Sequence, residues 1–527
     1  MPDSEFGGSQ TAQTFGVNPW LIAVSVMLAT FMEVLDTAIA TVALPYIAGS
    51  LSASTDEATW VLTSYLVANA VILPASSWFS LRFGRKRFLI ICVIIFTVSS
   101  FFVGAAPSLL FILVARVVQG AGGGALQPIS QSILLESFPP AKRGAAMAFF
   151  AFGIVVAPVV GPTLGGWLTD SFSWRYAFYI NIPVGMLAVF MLNRFVHDPT
   201  YISKAKVAPF DNLGFGLLAV WTGCLQIVLD KGQEDDWFSA DWIRWAVFFL
   251  VVALIWFIVH SWKKKHPLVN LRVLKDRNFA VGCTLMFMLG TALYSTITVL
   301  PLFYQELLGY TAFSAGLMVG PRGIGSILGM PLIGYINDKV DSRILLSIGF
   351  VTFGVCSVAF GNVTLDIGPW TLMAPIVITG AAMSFVFVPI TTQAYSMLAN
   401  EQIGNASGIF NLVRNIGGGI GISLAQTLIT RRSATHRTQI AASAPQGGYW
   451  LQQRLDLLTR YLSHHTNPAN AAGAAEAMLN SQLSAQARLW AFVDVFRWTA
   501  LLAFACVIVV WFFRKVTPGR GRPVAAH

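Results

Sequence analysis

A chain of 527 residues that is 55% hydrophobic and only 11% charged is far from soluble composition, which excludes an ordinary globular enzyme or binding module. A net charge of +10 would suggest nucleic acid in a soluble protein, but here Lys and Arg occupy short loops between apolar runs, where they set membrane orientation. The five cysteines (Cys92, Cys224, Cys283, Cys356, Cys506) fall in apolar runs without metal-ligand spacing, so neither a disulfide framework nor a zinc site is expected.

The first residues, MPDSEFGGSQTAQTFGVNP, lack the basic region and cleavage site of a signal peptide, so the first span is expected to be retained. Apolar runs of the ~20 residues needed to cross a bilayer follow at 20–45, 58–81, 88–105, 109–135, 144–168, 176–196, 212–230, 241–262, 279–304, 312–336, 343–361, 370–397, 405–430 and 491–514. About fourteen helices put both chain ends on one side. Arg82, Arg85, Lys86 and Arg87, then Lys142 and Arg143, Lys204 and Lys206, Lys263 to Lys265, and Lys339 with Arg343 occupy alternate loops and mark that side as cytoplasmic. The similarity of SSWFSLRFGRKR (Ser76 to Arg87) to GYINDKVDSR (Gly334 to Arg343) suggests two six-helix halves. The expected organisation is a cytoplasmic tail (1–18), a six-helix bundle (19–200), an inserted two-helix linker (205–265), a second six-helix bundle (275–515) with a long periplasmic loop (431–490), and a second cytoplasmic tail (516–527).

The first run holds two acids, Glu33 and Asp36, inside ATFMEVLDTAIATVALP (Ala29 to Pro45). A charge at bilayer depth costs at least ~2.5 kcal/mol, so such residues mark function by default. Three apart on a helix, the two share a face and form a site able to hold and release a proton. In the fourth run Arg116, followed by Gln119, Gly120, Gly122, Gly123 and Gly124, needs a carboxylate or water, and the first-run acids are the partners in reach. The fifth run contains APVVGPTLGG (Ala157 to Gly166), whose prolines and glycines make a bent, smooth helix suited to rocking against a partner. Arg322 and Arg414 sit at or inside second-half helices and suit an anionic substrate or pairing with acids. Met32, Trp60, Phe149, Phe152, Met286, Tyr294 and Phe385 suit a pocket for amphipathic compounds. YWLQQRLDLLTRYLSHH (Tyr449 to His465) has amphipathic helical spacing within the long loop. No nucleotide-binding G-x-x-x-x-G-K-[ST] sequence is present, and the histidines lie near run ends or in loops, so neither ATP nor a histidine-based enzyme site is expected.

The phrases LDTAIATVALP, RVVQGAGGG, APVVGPTLGG and SWRYAFYINIPVG (Ser173 to Gly185), with the two basic loops, closely resemble the fourteen-helix drug:proton antiporters of the major facilitator superfamily, most of all the EmrB type of Gram-negative bacteria. The resemblance implies an all-α, polytopic inner-membrane exporter of hydrophobic or amphipathic compounds, driven by the proton gradient without cofactor or metal. It implies as partners a periplasmic membrane-fusion adaptor of the EmrA kind, meeting the 431–490 segment, and an outer-membrane channel. By position, Asp36 and Arg116 correspond to the proton-linked acid and the relay arginine, while Glu33 is an addition to the family pattern that suits a second proton site or a cation contact in the cavity. Gly161, Pro162, Gly165 and Gly166 correspond to the antiporter motif, and Arg82, Gly84, Arg85, Asp338 and Lys339 to the gating loops, with Gln119 and Gly120 following the relay arginine. Candidate substrate contacts are Glu33, Gln119, Phe149, Phe152, Tyr294, Arg322 and Arg414. The chain departs from the family pattern at Ala38 and Thr41, where Thr and Asn are usual, and at Ser77 and Leu81, where Gly and Asp are usual. The first basic loop is therefore expected to lack its usual carboxylate contacts, leaving gating mainly to the second half.

Overall fold

The computed structural model describes residues 18–139, 142–198, 209–337, 339–368, 370–443, 448–464 and 470–514, and its regular elements there are all helical. In hydrocarbon each backbone N–H and C=O must be satisfied within its own segment, which long apolar runs achieve as helices. The first half comprises α1 (Pro19–Ser50), α2 (Thr55–Phe83), α3 (Arg85–Gly104), α4 (Leu109–Ser137), α5 (Arg143–Ser171) and α6 (Tyr176–Phe195). An inserted pair, α7 (Asn212–Lys231) and α8 (Asp241–Lys263), precedes the second half. That half comprises α9 (Arg277–Glu306), α10 (Phe313–Ile336), α11 (Ser342–Phe360), α12 (Met373–Tyr395), α13 (Asn400–Ser443), the short α14 (Tyr449–Ser463) and α15 (Ala471–Val510).

Local chemistry sets the helix starts. Asn18 caps α1 by accepting from the Trp20 N–H at 3.0 Å, with Pro19 at the first helical position. Ser54 and Glu57 form a capping box at α2. Among the described residues, thirteen helices are long and apolar enough to cross a membrane. The fourteenth is α13, less apolar because Asn411 and Arg414 face the other half of the protein instead of lipid.

The segment expected as a loop over 431–490 is largely helical where described. At 44 residues, α13 runs ~66 Å at 1.5 Å per residue, about twice the hydrocarbon thickness. Longer than the bilayer is thick, it extends alongside α15, tied by His436 to Asp494 at 2.8 Å and by Arg437 to Asn480 at 3.0 Å, with α14 packed on α15. The tails 1–17 and 515–527, and Lys204 and Lys206, lie outside the described residues.

Within the halves α1 packs on α5, α2 on α4, α9 on α13 and α10 on α12; the halves meet where α5 lies on α10 and where α13 lies on α2 and α4. The inserted pair is not a free spacer, because α7 packs on both α2 and α13 along that seam. Its base is fixed by buried Asp211, which accepts from Lys264 Nζ (2.7 Å), His260 Nε2 (3.0 Å) and the N–H groups of Gly214 (3.0 Å) and Leu268 (3.2 Å). Burial alone would raise the pKa of this carboxyl, but the four donors outweigh it and hold the group down at about 2.

Candidate functional site

The intramembrane acid Asp36 is 1% exposed and fully coordinated by polar groups. Arg116 of α4 donates to Asp36 Oδ2 at 2.6 Å, while Gln119 (3.0 Å) and Asn181 of α6 (2.7 Å) donate to Oδ1. The guanidinium is itself held, donating to Gln119 Oε1 at 2.9 Å and to the Val61 carbonyl at 3.0 Å, with Tyr65 beneath it at 4.3 Å. Asn181 also donates to Ser100, which donates to the Phe178 carbonyl. A buried ion pair is tolerable only with good geometry and further hydrogen bonds, and here groups on five helices (α1, α2, α3, α4 and α6) supply them, leaving Arg116 Nη2 and Asn181 Oδ1 without a hydrogen-bond partner among the described residues.

The glycines explain how the helices come close enough. A Cβ on Gly120 would lie 2.3 Å from the Tyr65 carbonyl, and one on Gly124 would lie 2.4 Å from that of Asn69, so α4 meets α2 backbone to backbone. On α5, Gly161 and Gly165 abut Ala38 and Ile39, the turn of α1 just past Asp36, whereas Pro162 and Gly166 face Gly316 and Phe313 of α10. The bent α5 therefore lies between the buried acid and the other half of the protein, with Pro158 and Pro162 inside it.

Glu33 shares α1 with Asp36 but has separate partners. It accepts from Asn69 at 3.1 Å and lies beside Gln127, whose amide oxygen accepts from Arg414 of α13. One helical turn on, Gln131 Oε1 accepts from Asn411 (2.8 Å), Ser407 (3.0 Å) and Tyr395 (3.4 Å) of the second half. Asp36 is thus bound within the first half, and Glu33 faces a polar seam that joins the halves. Asn69, Gln127, Gln131, Asn181 and Asn411 were not singled out in the sequence; their signal was an amide inside a largely apolar run.

The basic loops have a different chemistry from the one expected. Arg85 is buried and pairs with Glu136 at the end of α4, and its guanidinium lies 3.5 Å from where a Cβ on Gly404 of α13 would be. Gly84 has φ +87°, and a Cβ there would lie 2.6 Å from Asp198, which accepts from the Lys86 N–H at 2.8 Å. The first loop therefore does meet carboxylates, supplied by α4 and the segment after α6 instead of by position 81. Arg82 is exposed at the end of α2, the Lys339 ammonium sits over Tyr335 at 3.3 Å, and Asp338 lies outside the described residues.

The candidate pocket residues scatter. Met32 and Met286 are fully buried in the core, Phe149 packs edge-on against Trp20, and Phe152 is half-buried on the same core. Trp60 lies under Lys231, Tyr294 packs on Gly418 of α13, and Phe385 lines a crevice between α10, α11 and α12. Arg322 is buried in α10 and makes no hydrogen bond to either acid. Among the described residues no group of His, Cys, Asp and Glu side chains could hold a metal ion. What the site can do is exchange a proton on a carboxylate held by an arginine and two amides within the first half, with a second acid one turn away on the seam where the halves meet.

Residues 26–422 match the sequence profile of the Major Facilitator Superfamily. The chain is 35% identical to the multidrug export protein EmrB of Haemophilus influenzae, over 93% of this chain and 95% of that one. It is 34% identical to the probable multidrug resistance protein EmrY of Escherichia coli (97% and 99%) and 36% identical to the fatty acid resistance protein FarB of Neisseria gonorrhoeae (93% and 95%). Among solved structures, a double-tryptophan mutant of XylE superposes with a TM-score of 0.59 at 14% identity, covering 95% of this chain and 97% of that one. The human organic anion transporter MFSD10 superposes with a TM-score of 0.56 at 12% identity (92% and 99%).

Proposed function

The chain belongs to the Major Facilitator Superfamily as a multi-pass drug-efflux transporter, and we propose that it is a secondary active antiporter exporting hydrophobic or amphipathic compounds against an inward flow of protons. The observation that carries this reading is the Asp36 cluster. Protonation of Asp36 cancels the carboxylate charge and leaves Arg116 a buried cation without its counter-ion, which is costly in low dielectric. The energy falls on α1 and α4, and α5, packed on α1 at Gly161 and Gly165, transmits it to α10. Glu33 supplies a second lever: a proton there weakens its interaction with the Gln127–Arg414 link, and a cationic substrate near Glu33 does the same. Substrate and proton then compete for one polarised region, which gives exchange without a nucleotide or other cofactor.

We place the protein in the inner membrane with both termini cytoplasmic, on the distribution of Lys and Arg among the loops. The helical projection of α13, α14 and α15 then stands in the periplasm, where a membrane-fusion adaptor leading to an outer-membrane channel would meet it.

The test uses proteoliposomes with an imposed pH gradient and a lumenal pH dye. Amphiphile-triggered proton flux in the wild type, absent in Asp36→Asn and reduced in Glu33→Gln, is the expected result; flux that persists in Asp36→Asn would overturn the coupling role. A second reading, proton-coupled transport of a specific metabolite, fatty acid or other organic anion, is favoured by the two buried second-half arginines, Arg322 and Arg414, and by the name of the FarB relative.

A further inference from the structure

Arg322 stands apart from every other buried charge. It is 1% exposed, and among the described residues none of its three guanidinium nitrogens has a hydrogen-bond partner. Arg116, equally buried, has Asp36, Gln119 and the Val61 carbonyl. No counter-ion is close in sequence, since α10, α11 and α12 contain no Asp or Glu. A buried cation without an anion or acceptors is strongly unfavourable, so this position calls for a ligand of opposite charge.

The surroundings indicate its shape. Arg322 lies in a wedge of three helices: its carbonyl faces Gly380 of α12, where a Cβ would be 1.9 Å away, and Cys356 of α11 is within electrostatic reach. One turn along, the same three helices enclose an apolar crevice of about 270 Å³, with Gly325, Thr352 and Ala381 on its walls. Its outer lip, Leu328, Ile348 and Ile378, belongs to the lipid-facing surface, with exposures of 66%, 49% and 45%. The volume lies just below the ~300–1,000 Å³ range of small-molecule sites, which suits no more than one slender chain. Nine residues separate Arg322 from the start of α10 at Phe313, about 14 Å along the helix. That depth is below the headgroup layer, which a phospholipid phosphate does not leave readily and a free carboxylate tethered to one chain can.

We propose that this wedge is a binding site for a single-chain organic carboxylate drawn from the bilayer, the carboxylate pairing with Arg322 and the chain lying in the crevice. The site deepens the organic-anion reading but is physically separate from Asp36, so binding here does not require proton coupling.

The test is photolabelling of the full-length protein in phosphatidylcholine nanodiscs with a dodecanoate bearing a terminal diazirine, followed by peptide mapping. The expected label falls on α10, α11 or α12 beside the crevice and is competed by excess dodecanoate but not by dodecanol. Arg322→Gln lowers labelling about tenfold, as loss of a charge-assisted pair should, Arg322→Lys lowers it less, and Thr352→Phe lowers it by filling the crevice with the arginine intact. Asp36→Asn labels like the wild type, so loss of proton flux and loss of this site are told apart. Undiminished labelling in both Arg322→Gln and Thr352→Phe, equal competition by dodecanol, competition by phosphatidylglycerol alone, or label confined to the α1–α13 seam overturns the proposal. Should Arg322→Gln fail to fold, Thr352→Phe and the dodecanol comparison decide.

Discussion

At Asp36 the three donors are unequal, and the inequality orders the expected phenotypes. Arg116→Met leaves a carboxylate buried with only two amide donors, a change that in comparable buried pairs costs ~3–5 kcal/mol. Asp36→Asn with Arg116→Met removes both charges and should recover most of that loss while remaining inactive in transport. Thermal unfolding of the detergent-purified proteins checks this: a double variant no more stable than Arg116→Met alone would mean that the pair is not the source of the cost. Arg116→Lys should also fail in transport, because an ammonium cannot serve Asp36, Gln119 and the Val61 carbonyl as the planar guanidinium does. Asp36 and Arg116 were legible in the sequence because charges inside apolar runs stand out. Asn181 was not, since an amide in such a run is only mildly unusual until the fold brings it within 2.7 Å of the acid.

At the scale of elements, glycine positions give a graded series. Gly120→Ala sets a methyl 2.3 Å from the Tyr65 carbonyl oxygen, Gly161→Ala sets one 2.5 Å from the Ala38 methyl, and Gly216→Ala meets nothing within 4 Å. Folded yield and transport should therefore fall most for Gly120→Ala, clearly for Gly161→Ala and not at all for Gly216→Ala; fluorescence size-exclusion profiles with efflux assays read both. The Asp211 clasp at the base of the inserted pair makes a pH prediction. Its carboxyl is at about 2 in the folded protein against an ordinary 3.8, so its stabilisation is present above about pH 4 and is lost as pH falls towards 2. Melting temperature measured from pH 7 down to pH 3 should drop less steeply in Asp211→Asn, which starts lower; parallel curves would show that the clasp contributes nothing. Hydropathy alone could not reveal this clasp, because its donors come from residues 49 to 57 positions away as well as from its own cap.

For the whole molecule, the two six-helix halves and the inserted pair were readable from run lengths and the repeated basic loops, because bilayer thickness and loop charge act directly on sequence. The projection of α13 and α15 was not, since a polar helix outside the membrane has the composition of a loop. The contact between halves was equally hidden, and it carries the test of alternating access. Along the α5–α10 interface, a Cβ on Gly166 would lie 3.9 Å from the Phe313 Cβ near one membrane face, and a Cβ on Gly334 would lie 3.9 Å from the Ala145 Cβ near the other. Both separations fit the ~3.5–4.5 Å of a disulfide. If transport requires the halves to part alternately at the two faces, Gly166→Cys with Phe313→Cys and, separately, Gly334→Cys with Ala145→Cys should each stop efflux on oxidation and recover it on reduction. Cys224, the one native cysteine not fully buried, is replaced by Ser in both backgrounds to keep the readout clean. Full efflux in either cross-linked protein would mean that α5 and α10 stay joined at that face throughout the cycle, and the moving seam would have to be sought between α13 and α2.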